Sequence, residues 1–339
     1  KVQAWFFPLM ILLIGISNLI VIFVGGNQYM QGEIAFGVLA EFIIYVNMLT
    51  WPVTVVGWVT SIVQQAEASQ KRINAFLKAQ PEIETGKGIN SKIKGNLEFK
   101  NVSLQYPETG IKALNKLNLS IPAGSTLGII GNIGSGKSTL LDTILRLYDP
   151  TEGTISLDGH DLKVFELSEL RNSIGYVPQN AFLFSESIED NIRFGNPNAS
   201  LEAIQGVAKK AVVHKNIIKF KEGYKTLLGE RGVTLSGGQI QRVSIARALI
   251  KNPKILLLDD CLSAVDTDTE EEILKHLKSI TKDKTTLIVS HRISSLKHAD
   301  QIIVFENGKI VQQGQNIDLI DVKGYYKELF EIQQANNSK

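Results

Sequence analysis

Hydrophobic and polar positions divide the chain into two regimes. Residues 4–24 (AWFFPLMILLIGISNLIVIFV) carry no charge. As a helix rising about 1.5 Å per residue they reach roughly 31 Å, the thickness of a bilayer core. A second stretch, about 37–63, is equally apolar after Glu41 and holds Trp51 and Trp58. These patterns predict two transmembrane α-helices, about 4–24 and 37–63. The second keeps helix-forming residues through Ser61–Leu77 while turning polar, until Pro81 breaks it, so it is expected to extend past the bilayer. Within residues 1–66 only Lys1, Glu33 and Glu41 are charged; from Glu67 onward charges are dense. The connection Gly25–Phe36 has no Lys or Arg, whereas Lys71, Arg72 and Lys78 follow the second span. The positive-inside tendency then puts the connection outside and the C-terminal bulk in the cytoplasm, in a multi-pass protein of the cell membrane. A secretory signal peptide is the alternative for the first stretch, but its apolar run is too long and no small-residue cleavage site closes it. A buried soluble helix is the alternative for the second.

Residues 81–95, with Gly86, Gly88 and Gly95, have the composition of a linker. Residues 1–80 are then the membrane part and 96–335 a separate domain of mixed α/β pattern. Alternation in LEFKNVSLQY (97–106) predicts half-buried strands. Apolar runs at 126–130, Lys254–Leu258 and 285–290, each leading into a turn and a helix, predict buried parallel strands. QIIVFENGKIVQQG (301–314) predicts a hairpin turning at Asn307-Gly308.

Composition changes this picture little. Net charge is +2, so the overall balance gives no sign of a nucleic-acid partner. The single cysteine, Cys261, rules out an internal disulfide framework and fits a reducing compartment. With Lys rather than Met at position 1 and apolar sequence following at once, the chain is expected to be a piece of a longer protein.

The candidate chemistry starts at residues 131–138, Gly-Asn-Ile-Gly-Ser-Gly-Lys-Ser, which fit the spacing Gly-x4-Gly-Lys-Ser/Thr of a phosphate-binding loop. Gly131, Gly134 and Gly136 let the backbone wrap closely around phosphates with N–H groups inward, where side chains would block the approach. Asn132, Ser135 and Thr139 belong to the same cradle. The loop runs into a helix N-terminus whose partial positive charge favours the same anion. Lys137 supplies a full charge at the terminal phosphates, and the Ser138 hydroxyl can ligate Mg²⁺. The bare pattern carries little by itself. Its position between an apolar strand and a helix is the required context.

Downstream, Leu235-Ser-Gly-Gly-Gln239 opens a helix, the strand 255–258 ends in Asp259-Asp260, and His291 follows the strand 285–290. Together with the phosphate loop, these motifs make residues 96–335 resemble the nucleotide-binding domain of ABC transporters. With membrane helices joined N-terminally, the chain resembles the end of an exporter half-transporter. The resemblance implies an α/β P-loop NTPase fold, an ABC-type domain with antiparallel β and helical subdomains, preceded by two transmembrane α-helices. The family has six such helices per half, so four are expected upstream. ATP and Mg²⁺ are the implied cofactors.

The resemblance also assigns roles. Tyr106 matches the aromatic residue that stacks on adenine, with a plain core tyrosine as the alternative. Gln179, in GYVPQ, matches a glutamine that ligates Mg²⁺ and senses the membrane domain. Asp259 matches the carboxylate that holds Mg²⁺ through water. Ser236, Gly237, Gly238 and Gln239 match the signature that touches the terminal phosphate of ATP held by the opposite subunit, a second helix N-terminus aimed at an anion. Residues 263–266 match a loop that touches the partner, and His291 a histidine at the γ-phosphate. The implied assembly is a head-to-tail dimer with ATP at the joint. His160, His214, His276 and His298 fall in no such place and are expected to be surface or packing residues.

One position departs from the family pattern. After the strand-end Asp the family usually has Glu as general base, and here Asp260 stands, one methylene shorter. General-base work needs hydrogen-bond reach, and a retreat of about 1 Å can lower the rate on the order of a hundredfold. Some exporters are heterodimers in which the weakened subunit keeps an intact signature that completes its partner's site. Asp260 beside an intact Leu235–Gln239 favours that arrangement, with a homodimer as the alternative. A channel or regulator gated by ATP is a rival reading. A soluble importer ATPase is another, opposed by residues 4–63. Membrane lipid and a transported small molecule, lipid or peptide are the remaining partners. Trp5, Phe6, Phe7, Tyr45 and Trp51 suit an apolar or amphipathic cargo and suit lipid equally well.

Overall fold

The computed structural model describes residues 2–89, 92–229, 235–262, 267–280 and 283–337. Residues 263–266, expected to touch a partner, lie outside them, as do the side chains of Phe6 and Phe7. The chain forms two compact units, Lys1–Glu82 and Ile83–Lys339.

The first unit consists of α1 (Val2–Met30) and α2 (Phe36–Leu77), both long and apolar enough to cross a membrane. No residue of α2 is buried, and Trp51 and Phe23 are each 73% exposed. Large apolar side chains turned outward along a whole helix need a non-aqueous or protein surrounding. At 42 residues α2 is about 63 Å long, twice what a bilayer core needs, and its polar last turns continue the helix. α1 runs six residues past the expected end at Val24, straight through Gly25 and Gly26. A Cβ on Gly25 would stand 2.6 Å from a methyl of Leu39, so this glycine gives α2 room to pack rather than ending the helix.

The second unit is built on two sheets. Along the chain come β1 (Leu97–Gln105), β2 (Lys112–Ile121), β3 (Thr126–Gly131), α3 (Lys137–Ile144), β4 (Glu152–Leu157), β5 (His160–Asp161), α4 (Leu167–Ser173) and β6 (Ile174–Val177). The short helices α5 (Ile188–Arg193), α6 (Leu201–Lys210) and α7 (His214–Ile217) lead to α8 (Gly237–Ile250). There follow β7 (Ile255–Asp259), α9 (Thr267–Ile280), β8 (Thr285–Val289), β9 (Gln301–Glu306), β10 (Lys309–Gly314), α10 (Asn316–Asp321) and α11 (Tyr325–Asn337). One sheet is antiparallel in the order β2-β1-β4-β5. The other, in the order β10-β9-β3-β8-β7-β6, is parallel except for its edge strand β10.

The parallel strands β7 and β8 are buried at every position, the reason they stand out as continuous apolar runs. Side chains of the sheet's parallel strands alternate between two cores. Ile130, Leu256, Leu258, Ile302 and Val304 enter one with the helices α5, α6 and α8; Ile129, Leu257, Ile303 and Phe305 enter the other with β1 and β2. The β9–β10 turn has Asn307 at φ 48° and Gly308 at φ 74°, the paired positive angles of a two-residue type I′ hairpin.

The stretch with linker composition is fastened to the second unit. Asp158 accepts hydrogen bonds from the backbone N–H groups of Lys94 (2.7 Å), Gly95 (3.2 Å) and Asn96 (2.9 Å). Gly86 lies so close to Val164 that a Cβ would stand 2.4 Å from its carbonyl. Ile89 and Ile93 pack on the core.

Candidate active site

Four parallel strands of the larger sheet end on one side of it: β3 at the phosphate loop, β6 just before Gln179, β7 at Asp259-Asp260 and β8 just before His291. The crevice outside the carboxyl ends of parallel strands is where open α/β sheets bind ligands. A cavity of about 680 Å³ lies there, lined by Gly134 to Thr139, Gln179, Asp259, Asp260 and His291. Tyr106 and the Asn307-Gly308 turn close its other wall. Its size falls within the range of about 300–1,000 Å³ usual for small-molecule sites.

The loop's glycines have different reasons to be there. A Cβ on Gly131 would stand 2.1 Å from Phe305 O, and one on Gly136, at φ 104°, 2.3 Å from Ala113 O. Both are required by neighbouring protein backbone rather than by a ligand. Gly134, at φ 77°, has nothing within 4 Å of its Cβ position and faces open space. The loop is further held by Gly308 N–H, which donates to Ser135 O at 2.9 Å. Ser135 Oγ is buried without a hydrogen-bond partner among the described residues. Lys137 folds back under the loop, its Nζ donating to Gly131 O (2.8 Å) and Asn132 O (2.7 Å). Burial lowers its pKa, while Asp259 and Asp260 pull it back up.

Asp259 and Asp260 are 3% and 7% exposed. Burial raises the Asp259 pKa and Asp260 adds to it; a hydrogen bond from Ser138 and the charges of Lys137 and His291 work the other way. Asp260 sits in the left-handed region, at φ 45°, its N–H donating to Val289 O at 2.9 Å. Its Oδ2 accepts a 3.4 Å hydrogen bond from Gln179 Nε2. Tyr106 is half-buried at the rim: its hydroxyl lies 2.9 Å from Thr139 Oγ1, and its ring meets Tyr148 edge-on at 5.0 Å.

Ser138, Gln179 and Asp259 present oxygen donors with one carboxylate. Mg²⁺ suits such a set because it takes one or two carboxylates and leaves its other positions to phosphate and water. Among the described residues no group of three or more His, Cys, Asp or Glu is placed to hold a metal by itself.

Ser236–Gln239 do not line this cavity. They form the tip of α8, where Ser236 Oγ accepts from Gln239 N–H and Gln239 Oε1 accepts from Ser236 N–H, a reciprocal capping box. Gly237 and Gly238 fill the first turn. Two features of the site were not foreseen from the sequence. The Asn307-Gly308 turn is a wall of the cavity, although its sequence marks only a hairpin. Asp142, one turn beyond the loop on α3, has its carboxyl pushed up to about 6, by burial first and then by Asp259. Nothing in its local sequence sets it apart.

Residues 114–263 match the ABC transporter family. The chain is 41% identical over 330 residues to the ABC transporter ATP-binding protein YknU of Bacillus subtilis (strain 168), covering 97% of this chain and 56% of that protein. It is 40% identical over 334 residues to the multidrug resistance-like ATP-binding protein MdlA of Escherichia coli (strain K12), covering 98% of this chain and 57% of that one. The solved structure of a bacterial Atm1-family ABC exporter with ATP bound superposes with a TM-score of 0.78 at 32% identity, covering 96% of this chain and 58% of that one. The chain thus spans somewhat more than half the length of the relatives it matches. With the two long apolar helices preceding the α/β unit, the chain carries the ABC transporter domain and is similar to exporter-type half-transporters over somewhat more than half of their length.

Proposed function

We propose that the chain is the ATP-binding and ATP-hydrolysing subunit of an exporter, with α1 and α2 in the cell membrane and the second unit on the cytoplasmic side. A nucleotide is held between the cavity of one subunit and the Ser236–Gln239 helix tip of another. One observation carries this reading: the cavity gathers every expected site motif among the described residues except the signature, which sits elsewhere with its helix end turned into an anion-favouring tip. A second subunit supplies what the first lacks.

In this mechanism the loop N–H groups and Lys137 bind the phosphate chain, and Tyr106 stacks on the base. The buried Ser135 hydroxyl, without a partner among the described residues, and the open space at Gly134 fit a phosphate there. Ser138, Gln179 and Asp259 would hold Mg²⁺, which neutralises charge between the terminal phosphates. Asp260 orients and deprotonates the attacking water, and His291 contacts the terminal phosphate. Positioning carries most of the catalysis, as is general for phosphoryl transfer. Nucleotide at the joint draws the two subunits together and product release lets them part. The membrane helices alternate their opening accordingly. An apolar or amphipathic cargo is consistent with the name of MdlA, a multidrug resistance-like protein.

Asp260, shorter than the usual Glu and already engaged by Gln179, makes this a slow site that chiefly binds ATP and completes the competent site of a different subunit. Steady-state ATPase of the full-length protein tests this. Asp260→Glu is expected to raise turnover by about tenfold to a hundredfold. Robust turnover by the protein expressed alone, abolished by Asp260→Asn and not raised by Asp260→Glu, would overturn the slow-site reading.

A further inference from the structure

The last helix of the chain reaches back to the cavity through one side chain. Gln333 on α11 donates from Nε2 to His291 O at 2.7 Å and accepts at Oε1 from Ile293 N–H at 2.9 Å. A single carboxamide thus grips the backbone on both sides of Arg292. The same segment is held from α9, where Glu270 is 1% exposed. Arg292 pairs with Glu270 at 2.5 Å, and Glu270 also accepts from the hydroxyls of Ser294 (3.2 Å) and Ser295. Ser290 N–H donates to Ile129 O at 3.1 Å, and Ser290 Oγ accepts from Arg292 N–H at 3.0 Å. The backbone that carries His291 is fixed at both ends, and His291 itself faces the cavity.

Docking of α11 does not depend on Gln333. Tyr326 is fully buried, Leu329 and Phe330 pack on the same core, and the Tyr326 hydroxyl bonds Asn316 at 2.7 Å. The Gln333 carboxamide therefore adds something other than adhesion. It satisfies the His291 carbonyl and the Ile293 N–H on either side of Arg292.

We propose that Gln333 is a positioning residue of the hydrolytic site, setting the reach of the His291 imidazole toward the terminal phosphate. The rate at this cavity then depends on the chain's final helix. This rests on the ATPase reading above. A displacement of about 1 Å at a catalytic contact is enough to lower a rate by an order of magnitude or more.

The test uses the full-length protein, assembled where required with a partner subunit whose own phosphate-loop lysine is changed to alanine, so that turnover is read at this cavity alone. Gln333→Met keeps the length of the side chain and removes both hydrogen bonds. It is expected to lower kcat for ATP about tenfold, leaving the KM for ATP within about twofold, since His291 acts on the transition state more than on binding. The unfolding midpoint is expected to fall by no more than a few degrees, since two backbone groups lose a partner at a half-exposed site. Gln333→Glu keeps the acceptor for Ile293 and removes only the donor to His291; it is expected to lower kcat in the same way, and it carries the test if Gln333→Met does not assemble. Unchanged kcat in both variants would overturn the proposal. So would a loss of kcat accompanied by a fall in the unfolding midpoint of about 10 °C or more, or by an equal rise in KM, which marks a purely structural role. Wild-type protein that binds ATP and never turns it over would instead overturn the ATPase function itself.

Discussion

The second unit contains two helix tips built for the same kind of ligand in opposite ways. α8 begins with Ser236, whose hydroxyl and whose partner Gln239 satisfy each other's backbone groups, so this tip has a side-chain cap of its own. α3 begins with Gly136 at φ 104° and has no side-chain cap; its first residue is a buried lysine. A positive charge at a helix N-terminus opposes the macrodipole, and uncapped N–H groups there lack partners. The α3 tip therefore holds unfavourable electrostatics that an anion relieves, whereas the α8 tip only adds a favourable field to an anion placed by something else. One tip is a primary binding site and the other a supplement.

The largest expected effect breaks the α3 side of that contrast. Lys137→Ala should weaken binding of a fluorescent ATP analogue to the full-length protein by about a hundredfold or more, through loss of a charge-assisted contact in a buried site. Titration of the analogue checks this, and affinity within threefold of wild type would remove Lys137 from the phosphate site.

A smaller effect separates the loop's glycines. Gly136→Ala places a methyl 2.3 Å from Ala113 O at a positive φ, so it should lower stability by about 3 kcal/mol or more. Gly134→Ala meets open space and carries only the left-handed penalty of about 1–2 kcal/mol. Its methyl points where phosphate is expected, so its binding loss should exceed its stability loss. Thermal unfolding without nucleotide, paired with the same titration, orders the two variants.

The smallest effect concerns Asp142, one turn along α3. Its carboxyl is held up at about 6 against an ordinary value near 3.8, by burial first and by Asp259 second. The folded state therefore keeps a proton that the unfolded chain releases. Relative stability from this group is fully present below pH of about 4 and is lost as pH rises to about 6. Asp142→Asn should accordingly stabilise the nucleotide-free protein above pH 6, by about 1 kcal/mol after allowing for partial exposure, and leave it unchanged below pH 4. Unfolding midpoints across that range check the sign.

Much of this was legible in the sequence because it depends on local rules. Continuous apolar runs give the buried parallel strands, Asn307-Gly308 gives the hairpin, and Leu235–Gln239 opens a helix. What could not be read was settled by contacts distant in sequence. Gly131 and Gly136 answer to Phe305 and Ala113, so their necessity arises from tertiary packing although their spacing names a phosphate loop. The glycine-rich stretch before β1 has a linker's composition, yet Asp158, more than sixty residues later, pins it down. Gly25 and Gly26 resemble a helix end, but the approach of Leu39 makes one of them a packing position inside α1. Gln333 carries no motif at all, and only the meeting of α11 with the segment after β8 reveals it.

The most direct measurement of the shared site is photolabelling of each subunit of the assembled full-length transporter with azido-ATP, for Ser236→Arg and Lys137→Ala made in this chain. Division of one nucleotide between two subunits predicts that Ser236→Arg leaves labelling of this chain near wild type while it disables turnover at the partner's site, and that Lys137→Ala removes labelling of this chain. If Ser236→Arg removed labelling of its own chain as fully as Lys137→Ala does, and the partner's turnover stayed normal, the two tips would serve the same subunit and the shared site would be contradicted.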